Sequence, residues 1–221
     1  MTISKLHYIS QGNSPTEHLE HIQKACTSGI ELVQLGLGKV SDKKMMKLAQ
    51  EAREITSHFQ TRLIINNDYR IAKEIKADGI FLENRDVCPA LTRKQLYTWQ
   101  IIGGKATTLQ DCETLLDKKV DYICLGPYRS ATANPNMSQP LGINGYTAIV
   151  EILKTDTPII GFGEITIDDI ATILETGISG LAVSEEITRN FNSIRKFNQL
   201  LNASSTQEQR YTFTQNKKDN L

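Results

Sequence analysis

The chain has 221 residues, with 25 Lys plus Arg set against 25 Asp plus Glu, for a net charge of +0. That length suits one domain, and a barrel of alternating strands and helices usually has roughly 250 residues and can fall to about 200. Balanced charge leaves no basic stripe to track a phosphate backbone, which argues against nucleic acid as a partner, and no apolar run approaches the roughly 18 residues of a membrane helix.

The opening residues, MTISKLHYISQGN, lack a charged segment followed by a long apolar core, so a cytoplasmic location is expected. Short runs rich in β-branched and apolar residues then recur: LHYIS, ELVQLGL, RLIIN, GIFLE, QIIGG, YICLG, PIIGFG and GLAVS. Between them lie segments with helical spacing. Met45, Leu48, Ala49, Ala52 and Ile55 fall on one side of SDKKMMKLAQEAREITSHF, and Ile187, Phe191, Ile194 and Phe197 on one side of a single last helix. Ser41 and Thr166 are cap residues before the second and seventh helices, and Gly29 and Gly177 suit the ends of the first and seventh.

Continuous apolar strands alternating with helices are what a parallel sheet covered by helices requires. Eight such units in one domain predict an α/β fold, a closed (β/α)8 TIM barrel spanning residues 1–203. Residues 204–221, SSTQEQRYTFTQNKKDNL, are polar and lack apolar periodicity, so they read as a disordered tail. Cys26, Cys88, Cys112 and Cys124 form no CxxC pair and sit in or beside apolar stretches, which predicts buried free thiols.

In such a barrel the chemistry lies at the C-terminal ends of the strands. These ends are residues 34–39, 66–68, 83–86, 104–108, 126–142, 163–166 and 184–186. Gly161, Gly163, Gly142, Gly145 and Ser184 make the later loops suitable for phosphate, since glycine lets backbone N–H groups approach and a helix N-terminus adds a favourable dipole; the same glycines also suit plain tight turns. Asn66, Asn67, Asp68 and Asp86 offer oxygens at two adjacent strand ends, as Mg2+ carrying a diphosphate needs, and they suit helix caps equally well. His7, His18, His21 and His58 fall away from the strand ends. Asp168, Asp169, Glu185 and Glu186 read as acidic first-turn residues of helices.

Taken in order, these segments resemble the thiamine phosphate synthase family and its thiazole tautomerase relatives from about residue 5 to residue 200. VQLGLGKV is similar to the family's VQLRLK, LIINND with KADGIFLENRD to LIIND and ADGVHLGxED, and IIGGKATTLQDC to IIGGTANT. DYICLGPYRSATANPNMSQPLGINGY is similar to DYIGLGPxxxTxTK with LGLEGY, and PIIGFGEIT and GISGLAVSEEI to PIVAIGGI and GADGVAVxSAI.

The resemblance implies a transferase that joins a pyrimidine methyl diphosphate to thiazole phosphate with release of pyrophosphate and with Mg2+ present. It implies a dissociative course: diphosphate leaves, a pyrimidine carbocation forms, and the thiazole nitrogen attacks. The implied substrate-binding residues are Gln34, Asn66, Arg129, Gly163, Val183 and Ser184, with Gly163 and the Val183–Ser184 turn holding the thiazole phosphate. The implied metal residues are Asp86, Asn67 and Asp68.

The sequence departs from the pattern where charge is needed. The family's Arg and Lys after the second strand fall on Gly36 and Gly38, with Lys39 one position beyond; the first metal-ligating Asp falls on Asn67. TxTK falls on Ala131, Thr132, Ala133 and Asn134, the histidine after the fourth strand on Phe81, and the tautomerase histidine on Thr107. Lys39 and Lys105, the latter in place of a Ser or Thr, are the candidate catalytic cations. Two alternatives stand beside the synthase: a catalytically silent paralogue that binds a phosphorylated ligand, and a barrel enzyme acting on another phosphorylated metabolite. A homo-oligomer is compatible with either.

Overall fold

Each of the eight apolar runs forms a strand in the computed structural model, which describes residues 2–36, 40–83, 87–130 and 139–203. The strands are β1 (Leu6–Ile9), β2 (Leu32–Leu35), β3 (Arg62–Asn66), β4 (Gly79–Leu82), β5 (Ile101–Ala106), β6 (Tyr122–Leu125), β7 (Ile159–Phe162) and β8 (Gly180–Val183). All neighbours pair in parallel, and β8 returns to β1 with Leu6 opposite Leu181, so the sheet closes as the expected barrel. The helices are α1 (Pro15–Thr27), α2 (Asp42–His58), α3 (Tyr69–Glu74), α4 (Pro89–Arg93), α5 (Leu109–Asp117), α6 (Gly142–Leu153), α7 (Ile170–Glu175) and α8 (Glu185–Arg189).

Alternation along each strand sorts side chains onto two faces. Outward residues such as Val33, Leu63, Ile65, Ile80, Ile123 and Leu181 pack beneath the helices with Ile22, Ala49, Ala52, Ile170 and Ile173. Inward residues fill the barrel with a second cluster of Leu32, Ile64, Phe81, Ile101, Tyr122, Cys124, Ile160 and Ala182. Gly103 makes this filling possible, because a Cβ there would lie 2.1 Å from Tyr122 Cζ. Gly29 and Gly177 follow α1 and α7 with φ of 88°, the left-handed step that ends a helix.

The single last helix expected over Ile187 to Phe197 is two. Helix α8 stops at Arg189, Asn190 is extended with φ −152°, and helix α9 covers residues 193–203. The cause is local: Asn190 Oδ1 accepts the Asn192 N–H at 3.2 Å, a side-chain turn that competes with helix.

The four thiols are free, and Cys26, Cys112 and Cys124 are buried, whereas Cys88 is only half-buried at the start of α4. Among the described residues no helix is long and apolar enough to cross a membrane. Residues 204–221, expected to form a tail, lie outside the described residues.

Candidate active site

Strand parity assembles the mouth of the barrel. Leu32, Ile64, Phe81, Ile160 and Ala182 point inward, so Gln34, Asn66, Glu83, Phe162 and Ser184, each two positions on, follow them toward the C-terminal opening. Gly103 beneath Tyr122 sets the same parity on β5 and brings Lys105 to the opening. Six strands thus supply one ring of side chains.

On the β2–β4 side, amides hold a carboxylate. Asn66 Nδ2 donates to Glu83 Oε1 at 3.1 Å, Asn67 Nδ2 donates to Glu83 Oε2 at 3.3 Å, and the Glu83 N–H donates to Asn67 Oδ1 at 2.9 Å. Asn67 reaches this position in the left-handed region, with φ 60°, which asparagine tolerates better than most residues. Gly36 is what admits Asn66: a Cβ at position 36 would lie 2.9 Å from Asn66 Nδ2. Two acceptors remain unanswered here, since Gln34 Oε1 and Asn66 Oδ1 are buried with no hydrogen-bond partner. Each such atom costs about 1–3 kcal/mol unless a donor meets it.

Asp68 is the cap of α3, and its Oδ1 accepts the N–H groups of Arg70 and Ile71 at 2.9 and 3.1 Å, while Arg70 lies 3.5 Å from Oδ2. With Asn67 Oδ1 also taken by the Glu83 N–H, neither side chain stands open toward the mouth as a hard-cation ligand. No group of three His, Cys, Asp or Glu side chains that would hold a metal ion occurs among the described residues. Asp86 and Lys39 lie outside the described residues, as do residues 131–138, which include Ala131, Thr132, Ala133 and Asn134.

On the β5–β7 side, the Lys105 ammonium sits 5.5 Å from the centroid of the Phe162 ring. No carboxylate among the described residues forms an ion pair with it. Cys124 lies below, 2 % exposed; burial pushes its thiol well up, and the nearby ammonium only partly opposes this, so the sulfur stays a neutral filler.

Loops six and seven are tied together. Tyr128 N–H donates to Phe162 O at 2.7 Å, and Arg129 N–H to Gly163 O at 3.1 Å. The Arg129 guanidinium pairs with Asp169 and lies 4.8 Å from the Tyr128 ring centroid. Asp169 also accepts the Thr166 N–H at 2.9 Å and its hydroxyl at 2.7 Å, so it does more than decorate a first helical turn. Gly163 has φ 107°, and a Cβ there would lie 2.6 Å from Pro127 Cβ, so only glycine fits this approach. Ser184 Oγ donates to Ile9 O at 2.9 Å, closing loop eight onto β1. Val183 turns its side chain into the outer cluster, which leaves only its backbone for the mouth.

The sequence-expected residues Gln34, Asn66, Lys105, Gly163 and Ser184 therefore meet at one opening, while Arg129 is committed to Asp169 and Asp68 to its helix. Glu83 was not singled out from the sequence. The available signal was parity, two positions beyond the inward Phe81.

Residues 6–187 match the family model described as thiamine monophosphate synthase. Among curated relatives, the thiamine-phosphate synthase of Flavobacterium johnsoniae is 34% identical over 190 residues, covering 85% of this chain and 90% of the relative. That of Flavobacterium psychrophilum is 33% identical, covering 89% of this chain and 97% of the relative. In fold, the chain is similar to the thiamine phosphate pyrophosphorylase of Pyrococcus furiosus, with a TM-score of 0.75 at 19% identity, covering 90% and 96% of the two chains. The match runs from β1 into α8 and takes in every strand end that builds the mouth: the chain belongs to the thiamine monophosphate synthase family.

Proposed function

We propose that the chain is a cytoplasmic thiamine-phosphate synthase, which joins a pyrimidine methyl diphosphate to thiazole phosphate. The CH2–O bond of the diphosphate breaks, pyrophosphate leaves with the electron pair, and the thiazole nitrogen forms the new C–N bond. The observation that carries this reading is the pair of unanswered acceptors, Gln34 Oε1 and Asn66 Oδ1, buried on the neighbouring strands β2 and β3. A substrate group bearing N–H donors would answer such a pair and relieve about 1–3 kcal/mol per acceptor. Opposite them, the Gly163 turn and the Ser184 turn suit the phosphate of the second substrate, with the backbone doing the recognition. Mg2+ finds Asn67 and Asp68 already engaged, so no step of this reading passes through a metal ion.

A second reading, a silent paralogue that binds a phosphate monoester, is favoured by those same engaged side chains and by Arg129 being held by Asp169. Turnover separates the two. Purified chain given both substrates with Mg2+ in the buffer should yield thiamine phosphate and pyrophosphate in equal amounts, well above an enzyme-free control. A chain that binds thiazole phosphate yet forms no product, and that ignores pyrophosphate in a calorimetric titration, is the silent paralogue.

A further inference from the structure

A diphosphate leaving group carries several negative charges into the mouth, and catalysis depends on what meets that charge as it develops. The described mouth has two cations. Arg129 is neutralised by Asp169 and packed on Tyr128. Glu83, whose charge acts on Cys124 together with that of Lys105, spends both carboxylate oxygens on Asn66 and Asn67. Lys105 therefore remains a cation without a carboxylate partner among the described residues, on an inward position, with the Phe162 ring on one side and the buried Cys124 beneath. A ring face steadies an ammonium without neutralising it.

From this placement we infer that Lys105 is the catalytic cation of the β5–β7 side, whose ammonium binds the leaving diphosphate of the reaction proposed above. Lysine suits the task as a compact point charge on a flexible stem, able to follow the diphosphate as the CH2–O distance lengthens. The inference rests on the synthase reading for its chemistry, but its binding half is measured independently of turnover. The side chain can be changed without disturbing the sheet, because it is exposed and makes no described hydrogen bond.

The test uses the full chain and pyrophosphate in a calorimetric titration, in buffer containing EDTA so that the side chain is read without a metal ion. Lys105→Met should weaken pyrophosphate binding at least tenfold and leave thiazole phosphate binding within about twofold, while kcat falls about 100-fold, the usual effect of removing one group that stabilises a developing anion. Lys105→Arg, which keeps the charge, should retain more of the affinity than Lys105→Met. Pyrophosphate affinity in Lys105→Met within twofold of the parent overturns the assignment, as does equal loss in the two variants or no pyrophosphate binding by the parent. If the parent makes no thiamine phosphate but binds pyrophosphate through Lys105, the synthase reading fails and the anion site stands.

Discussion

His7 shows at the residue scale how the barrel interior constrains a titratable group. It is fully buried, its Nε2 lies 2.9 Å from Ser4 O, its ring meets Tyr122 edge-on at 5.1 Å, and Nδ1 has no partner. Burial lowers its pKa from 6.5 to about 4, with the backbone contact to Ser4 opposing the shift. The unfolded chain therefore binds a proton between those two values that the folded chain does not. Stability is complete above the unfolded pKa and falls as pH drops from 6.5 toward 4, by up to about 3 kcal/mol from this residue. In His7→Phe that component should vanish, so urea midpoints measured across this range should fall less steeply than in the parent; parallel slopes would refute the assignment to His7. At the mouth, the inward positions of Gln34, Asn66 and Lys105 were legible because alternation fixes which side chains follow the core residues. The fate of Asp68 was not, since a carboxylate after a strand serves a helix cap or a ligand equally well, and only the course of α3 decides. The grip of Asn66 and Asn67 on Glu83 depends on the 2.9 Å left by the missing Cβ of Gly36, a distance that no spacing rule contains.

Elements are joined at the N-terminal end of the barrel by a device used twice. Asp78, just before β4, accepts the Leu63 N–H of β3 at 2.8 Å and an Arg53 N–H from α2 at 2.6 Å. Asp121, just before β6, accepts the Ile102 N–H of β5 at 2.6 Å and an Arg93 N–H from α4 at 2.5 Å. Each clip fixes two neighbouring strands and the helix that precedes the first of them. The ion pairs are about a third exposed in the second clip, 33% and 37% for Arg93 and Asp121, so most of the Coulomb energy is screened and the strand N–H carries the larger share. Asp121→Ala should cost about 1–3 kcal/mol in urea unfolding, and adding Arg93→Ala should cost little more, because the unsatisfied strand N–H is already paid in full. A loss in Arg93→Ala alone as large as that in Asp121→Ala, with no further loss in the double variant, would place the energy in the ion pair. Neither clip was read from the sequence, where Asp78 and Asp121 look like ordinary loop acids, whereas the eight strands were, because buried parallel strands are continuous apolar runs. The break between α8 and α9 escaped periodicity for a related reason: the apolar spacing continues through Asn190 while its side chain bonds to the Asn192 N–H and stops the helix.

For the whole molecule, the seam where the last strand meets the first decides whether the site exists. The mouth takes Ser184 from β8's end and anchors it on Ile9 of β1, so the phosphate side of the opening forms only when the ring of strands closes. Helix α9 covers that seam: Ile194, Phe197 and Leu201 are at most 1% exposed, and Lys5, just before β1, donates to Leu201 O at 3.2 Å. Burying one such side chain stabilises by about 1.5–3 kcal/mol, and a whole domain is stable by only about 5–15 kcal/mol. Three of them on one helix therefore represent a large part of the total. A chain ending at residue 203 keeps every described element and should unfold in urea within about 0.5 kcal/mol of the full chain, as expected when a polar segment without apolar periodicity is removed. A chain ending at residue 192 loses α9 and should lose both cooperative unfolding and thiazole phosphate binding, since β1 and β8 would expose their outward Leu6 and Leu181. Paired urea and calorimetric measurements on the two truncations read this directly. If the shorter chain unfolds cooperatively at the parent's midpoint, strand pairing alone holds the seam, and α9 is a cover without a structural role.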